Sequence, residues 1–110
     1  MDLNLVVLCG RIAVLPEHRQ FDSGASQLRV LLTVGTDAPN PRVELIPVIV
    51  WNPPEDLLAA RFEIGARMWV SGMLQRRFRD TENDTRRGSA LDVVAHKALV
   101  GAAAEDVLSL

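Results

Sequence analysis

The sequence has few cysteine and aromatic residues and no long apolar run. Its single cysteine, Cys9, lies in a short apolar segment, so no disulfide can form within the chain and the thiol is expected in the core. No apolar run approaches the ~20 residues that span a bilayer, so we expect no membrane association. No basic leader precedes the first apolar segment, which predicts a cytoplasmic protein.

Patterns typical of enzymes and metal sites are also missing. The two histidines, His18 and His96, are far apart in the sequence, and neither a catalytic triad pattern nor a phosphate-binding glycine-rich loop occurs. One cysteine and two distant histidines do not provide the ligand spacing of a metal site. We therefore expect a protein without catalysis, metal or cofactor, with both histidines at the surface.

Hydrophobic residues, in contrast, are plentiful. They make up 48% of the 110 residues, enough for the core of one small domain. The sequence predicts a single domain over residues 1–101, followed by a short extension over residues 102–110 that forms either a short helix or a frayed end.

Short segments rich in valine, leucine, isoleucine and threonine, separated by turn residues, predict five strands. We expect them at about residues 3–15, 26–36, 42–51, 66–78 and 89–100, with residues 16–24 as the first connection. Gly10 is expected to introduce a bulge or bend. Pro47 lacks an N–H, so its strand should be bulged there or pair on only one side. Residues 52–65 predict a short helix capped by Asn52.

Three strands, a short helix and two further strands, in that order, are typical of an all-β OB-fold, a five-stranded Greek-key barrel. Another small β-barrel or a β-sandwich remains the alternative. In the OB-fold, the hairpin between the fourth and fifth strands extends from the barrel and is available for binding.

Arginine is concentrated in that hairpin. The net charge of the chain is −2, but residues 76–87 contain five arginines and only three acidic residues. The basic stretches at residues 76–79 and 86–87 flank an acidic, turn-forming centre at residues 81–84. The hairpin is either a solvated tip or an arm that binds a polyanion.

Several motifs, taken in order, resemble those of the bacterial single-stranded DNA-binding proteins. They are LPEHR at residues 15–19, SG at 23–24, VSGML at 70–74 and FRD at 78–80. The primosomal replication protein N is also similar, particularly around IPVIV at residues 46–50. The resemblance covers about residues 3–100 and implies an OB-fold, single-stranded DNA binding and assembly into dimers or tetramers. The run at residues 3–9 could supply an edge for that assembly.

Three features depart from the family pattern. The connection at residues 36–42 is short and lacks the family's tryptophan, and Leu45 occupies the position of another stacking tryptophan. The family's glycine-, glutamine- and proline-rich tail with an acidic tip is not found after residue 101. We therefore expect weaker binding per site than in a full replication-type member.

Five aromatic residues are available for stacking on DNA bases. By the resemblance, Phe78 and Trp51 match stacking positions of the family. Packing of Phe78 on its own barrel and capping of the helix by Trp51 are the alternatives. Trp69 is expected in the core or at a subunit interface, while Phe21 and Phe62 are expected to pack within the domain.

Contacts to phosphate groups require cationic side chains. The hairpin offers five candidates, and two further arginines lie on strands that could flank a binding groove. The candidates are Arg76, Arg77, Arg79, Arg86, Arg87, Arg29 and Arg42. The acidic residues Asp80, Glu82 and Asp84 repel phosphate, so we expect them at the hairpin tip or paired with arginines.

The sequence thus predicts sequence-tolerant binding of single-stranded DNA in replication, recombination or repair. The expected partners are single-stranded DNA, further copies of the chain and replication proteins. The alternative is an OB-fold interaction module of a replication or primosome assembly, in which DNA binding is secondary.

Overall fold

The structure is a computed structural model that describes residues 1–37, 39–78 and 89–108, with the backbone alone for Phe78, Ser89 and Leu108. Its five strands form a closed barrel in the order β1-β2-β3-β5-β4. The elements are β1 (Val6–Gln20), β2 (Ser26–Thr36), β3 (Arg42–Trp51), α1 (Glu55–Leu58), β4 (Arg67–Phe78), β5 (Ser89–Val100) and α2 (Ala102–Leu108). The predicted OB-fold with a short helix between β3 and β4 is confirmed.

Two features of strand pairing close the barrel. β1 is long enough to pair with β4 over residues 6–11 and with β2 over residues 11–20. β3 and β5 form the one parallel pair in the described part of the barrel, through Val48 with Val93 and Ile49 with Val94. Neighbouring strands otherwise run antiparallel.

The core follows from the alternation of side chains along each strand. Leu28, Val30 and Leu32 of β2 point into the barrel, and the residues between them face outward. The other strands contribute buried residues in the same way. The core contains Ile12, Leu28, Val30, Leu32, Val48, Val50, Leu57, Met68, Val70 and Val93.

The predicted end of the first strand is wrong, because β1 continues through Gln20. Register shifts after Ile12 and after Val14 allow the strand to pass Pro16 and then to resume pairing with β2. No bulge lies at Gly10, where pairing with β4 is regular. A Cβ at Gly10 would instead collide with the carbonyl oxygen of Thr33, so this glycine permits close approach of two strands.

The predicted helix over residues 52–65 is too long, and α1 has a single turn. Only Leu57 of this turn is buried, so core packing does not support a longer helix. Asn52 does not cap α1. Its side-chain oxygen accepts the Ser26 N–H at 2.9 Å, and its own N–H donates to the Ser26 carbonyl at 2.7 Å.

Pro47 pairs with Leu31 of β2, whereas pairing with β5 begins one residue later, so the expected one-sided pairing is confirmed. After β5, α2 packs on the barrel with Ala104 fully buried. The division of the chain into a domain over residues 1–101 and an extension over residues 102–110 stays a prediction. Among the described residues, neither helix has the length and hydropathy needed to cross a bilayer.

Gly72 offers a direct test of the packing between β4 and β5. A Cβ at this position would collide with backbone atoms of Val94 and Ala95, which cannot move away as a side chain could. We expect Gly72→Ala to lower the free energy of unfolding by about 1–3 kcal/mol, measured by urea denaturation. In Gly35→Ala, the nearest atom would be the Arg42 carbonyl oxygen at 3.8 Å, so this control should change stability little. Equal midpoints for the two variants would contradict the packing described.

Candidate nucleic-acid interface

The outer faces of β2, β3, β5 and β4 form a shallow groove, which we call the arginine groove. Its volume of about 190 Å³ is below the ~300–1,000 Å³ typical of pockets that enclose a small ligand. The groove is therefore too small to enclose a typical small-molecule ligand. It is lined by Gln27, Arg29, Ile49, Trp51, Gln75, Arg76, Arg77, Asp92 and Val94.

Strand alternation explains how the floor of the groove forms. Val48 and Val93 point into the core, so their neighbours Ile49, Asp92 and Val94 face outward. Ile49 and Asp92 are nevertheless buried and form the floor of the groove. Longer side chains of β2 and β4 line the sides of the groove.

Trp51 lies at the end of β3 and provides the flat surface of the groove. The residue is 46% exposed, and its ring centroid lies 5.8 Å from that of Phe21 at an interplanar angle of 36°. Trp51 does not cap α1, because the N-cap of that helix is Pro54. Trp51 is therefore held by an aromatic neighbour and is accessible from the groove.

The position of Phe21 was not anticipated from the sequence, which indicated only a packing role. The turn at residues 22–24 returns the chain to β2 at Ser26, and the next residue, Gln27, pairs with Trp51. Phe21 is thereby brought beside Trp51. The turn signal together with the β2–β3 register is the feature that could have revealed this contact.

Three of the predicted arginines lie together in the groove: Arg29 from β2 and Arg76 and Arg77 from β4. Arg42 is separated from them. It stands nine residues before Trp51 on β3, roughly 30 Å away along the strand. There it forms an exposed ion pair with Glu44 at 3.3 Å. Arg42 therefore does not belong to the arginine groove.

The rest of the hairpin lies beyond the described residues, although its base is visible in the pairing of Phe78 with Ser89. The backbone of Phe78 continues β4, and its side chain lies outside the description. The predicted cations Arg79, Arg86 and Arg87 and the acidic Asp80, Glu82 and Asp84 also fall outside the described residues.

Asp92 is a buried acidic residue in this basic groove, and the sequence analysis did not single it out. Its Oδ2 lies 3.5 Å from the Nε of Arg77, while its Oδ1 has no hydrogen-bond partner in the described part of the chain. Asp92 pairs across strands with Gln75, which places it diagonally opposite Arg77. A charged residue within the apolar alternation of β5 is the signal that could have drawn attention to it.

Trp69 and Phe62 lie away from the groove. Trp69 is half-buried on β4, between Cys9 of β1 and Leu99 of β5, and Phe62 packs against the core. Cys9 is half-buried rather than fully enclosed. Both histidines are exposed, as expected. Across the described ranges, no three potential metal-ligating side chains lie close together.

An OB barrel with an outer groove lined by arginine and an exposed aromatic ring is typical of proteins that bind nucleic acids. The Single-strand binding protein family model matches residues 3–100 of this chain. The chain therefore belongs to this family, and the resemblance found in its motifs is confirmed.

Relatives show modest sequence identity over most of the chain. A single-stranded DNA-binding protein of Thermosynechococcus vestitus is 27% identical over 95 residues, which cover 86% of this chain and 79% of that protein. Single-stranded DNA-binding protein 3 of Clostridium acetobutylicum is 31% identical over 90 residues, which cover 77% of this chain and 62% of that protein. The chain thus matches only part of the length of each relative.

Solved structures share the fold at lower identity. A Plasmodium falciparum SSB in complex with ssDNA superposes with a TM-score of 0.74 at 18% identity, covering 91% of this chain and 94% of that one. The dimeric N-terminal domain of PriB from Thermoanaerobacter tencongensis gives a TM-score of 0.64 at 21% identity, covering 88% and 94%. Both similarities concern the barrel itself.

Proposed function

We propose that this chain binds single-stranded DNA with little sequence preference, along the arginine groove, in replication, recombination or repair. The observation that carries the proposal is that exposed Trp51 lines the same groove as Arg29, Arg76 and Arg77. Membership of the single-strand binding family and the fold shared with an SSB in complex with ssDNA support it.

The proposed mechanism combines stacking with charge. A base stacks on Trp51, whose ring is supported by Phe21, and such a contact contributes about 1–3 kcal/mol. Arg29 and Arg76, which form no ion pair among the described residues, contact phosphates and release counterions. Neither contact reads a base edge, so the binding tolerates any sequence.

The path of the strand is proposed to extend beyond the groove at both ends. On the β4–β5 side, the hairpin would add Phe78, Arg79, Arg86 and Arg87, as predicted from the sequence. On the other side, Arg29 also borders a largely apolar hollow, whose further lining residues are Val14, Leu15, Glu17, Val30, Leu31 and Pro47. Aliphatic side chains stack less strongly than tryptophan, so the affinity per site should be lower than in tryptophan-rich members.

The proposal describes a binding protein and not an enzyme. A protein-interaction module of a replication assembly, with DNA binding secondary, is the competing function. We also propose that the protein is located in the cytoplasm, as expected from the sequence.

A titration with fluorescently labelled oligo-dT at several salt concentrations tests the function. We expect micromolar or tighter binding at low salt, with an affinity that falls steeply as salt rises because counterions are released. Arg29→Gln should weaken binding and reduce the slope of log K against log [salt] by about 0.7. Arg61→Gln is the matched control, since Arg61 is exposed and pairs with Glu63 outside the groove. It should bind like the wild type.

Absence of binding at low salt would refute DNA binding and favour the interaction module. Equal losses in Arg29→Gln and Arg61→Gln would show that DNA is attracted by overall charge and that the groove is not the site.

We further propose that the chain self-associates through β1. Residues 6–10 pair with β4 on one side only, and Leu3, Leu5 and Val7, in and just before this part of β1, are exposed. The fold is shared with a PriB domain described as dimeric. Sedimentation equilibrium should give two or four times the chain mass of 12.1 kDa. Val7→Lys should lower that mass, and a wild-type mass of one chain would contradict the proposal.

A further inference from the structure

The arginine groove contains a buried anion, which is unexpected in a site proposed to bind a polyanion. The Asp92 side chain is only 7% exposed, and burial of a carboxylate is costly unless a cation compensates for it. Its partner is Arg77, the one cationic group within ion-pair distance among the described residues. Asp92 therefore cancels much of the charge that Arg77 would present to phosphate.

Arg76 and Arg77 are adjacent in sequence but differ in their surroundings. Arg76 is exposed and has no ion pair in the described part of the chain. The Arg77 side chain is 38% exposed although its Nε is fully buried, so its exposed surface belongs to other atoms. Arg77 Nε is thus buried 3.5 Å from the Asp92 carboxylate without a hydrogen bond to it, and the rest of the guanidinium group is accessible.

An arginine held in this way retains one property that DNA binding can use. Its guanidinium group is planar, and bases stack on such planes as they do on aromatic rings. Trp51 lines the same groove, which places two flat groups along one path. A neutralised arginine can add stacking without adding to the salt dependence of binding.

We propose that Arg77 is a base-stacking residue and not a phosphate-neutralising one, and that Asp92 is the positioning residue that fixes and neutralises it. This inference rests on the proposed DNA binding and deepens it. It divides the arginines of the groove into two kinds: Arg29 and Arg76 confer salt dependence, whereas Arg77 confers affinity independent of salt.

Salt-dependent oligo-dT titrations of paired variants test this division. Arg76→Gln should reduce the slope of log K against log [salt] by about 0.7, the contribution of one phosphate on a single strand. Arg77→Gln should lower affinity about five- to tenfold at every salt concentration and leave the slope unchanged. Arg77→Lys keeps the charge but lacks the plane, so it should lose affinity to a similar extent. Arg61→Lys makes the same exchange outside the groove and should bind like the wild type.

Asp92→Asn distinguishes neutralisation of Arg77 by Asp92 from a purely structural role of Asp92. It should free the charge of Arg77, so the slope should steepen by about 0.7 and low-salt affinity should rise. Glu63→Gln is the matched control, because it also removes the acidic partner of an arginine, but outside the groove. It should leave the slope unchanged. If Asp92→Asn does not fold, as judged by circular dichroism, Arg77→Gln and Arg77→Lys alone test the proposed role of Arg77.

The division is refuted if Arg77→Gln reduces the slope as much as Arg76→Gln, or if Arg77→Lys binds like the wild type. An unchanged slope in folded Asp92→Asn also refutes it. In these cases wild-type binding and its salt dependence persist, and the proposed function stands. If the wild type fails to bind at low salt, both proposals fall together.

Discussion

The parallel pairing of β3 with β5 is the constraint on which the rest of the structure depends. Two residue pairs, Val48 with Val93 and Ile49 with Val94, close the barrel at this seam. Because side chains alternate along a strand, the register that buries Val48 and Val93 turns Ile49 outward, where it forms the floor of the groove. The position of Trp51, two residues further along β3, follows from this register. The pairing of β3 with β5 thus determines both the packing of the core and the position of the proposed binding surface.

The charge of the groove differs from a simple sum of its arginines. A buried carboxylate compensates Arg77, whereas Arg29 and Arg76 form no ion pair among the described residues. The proposed binding mode therefore assigns stacking and phosphate contact to different side chains of the same groove. The proposed division suits a chain with few aromatic residues, because in it the guanidinium plane of Arg77 supplements the ring of Trp51.

The sequence predicted the barrel well because its signals are local. The bounds of β2, β3 and β5 agree with the structure, since apolar alternation and turn residues define these strands. The length of β1 and the single turn of α1 were predicted wrongly, because register shifts and contact with the core determine them. Phe21 and Asp92 were missed for a related reason. Their neighbours, Trp51 and Arg77, are brought to them by strand pairing and not by sequence proximity.

The central claim is that a base lies on Trp51 in the arginine groove. The most direct measurement is the fluorescence of Trp51 in a Trp69→Phe variant, which leaves one tryptophan, during titration with oligo-dT. The account predicts saturable quenching that follows the binding curve from a labelled oligonucleotide, because a stacked base contacts the indole ring. The Trp51→Phe variant, which reports on Trp69, should show little change. Binding that leaves Trp51 emission unaltered would contradict the account.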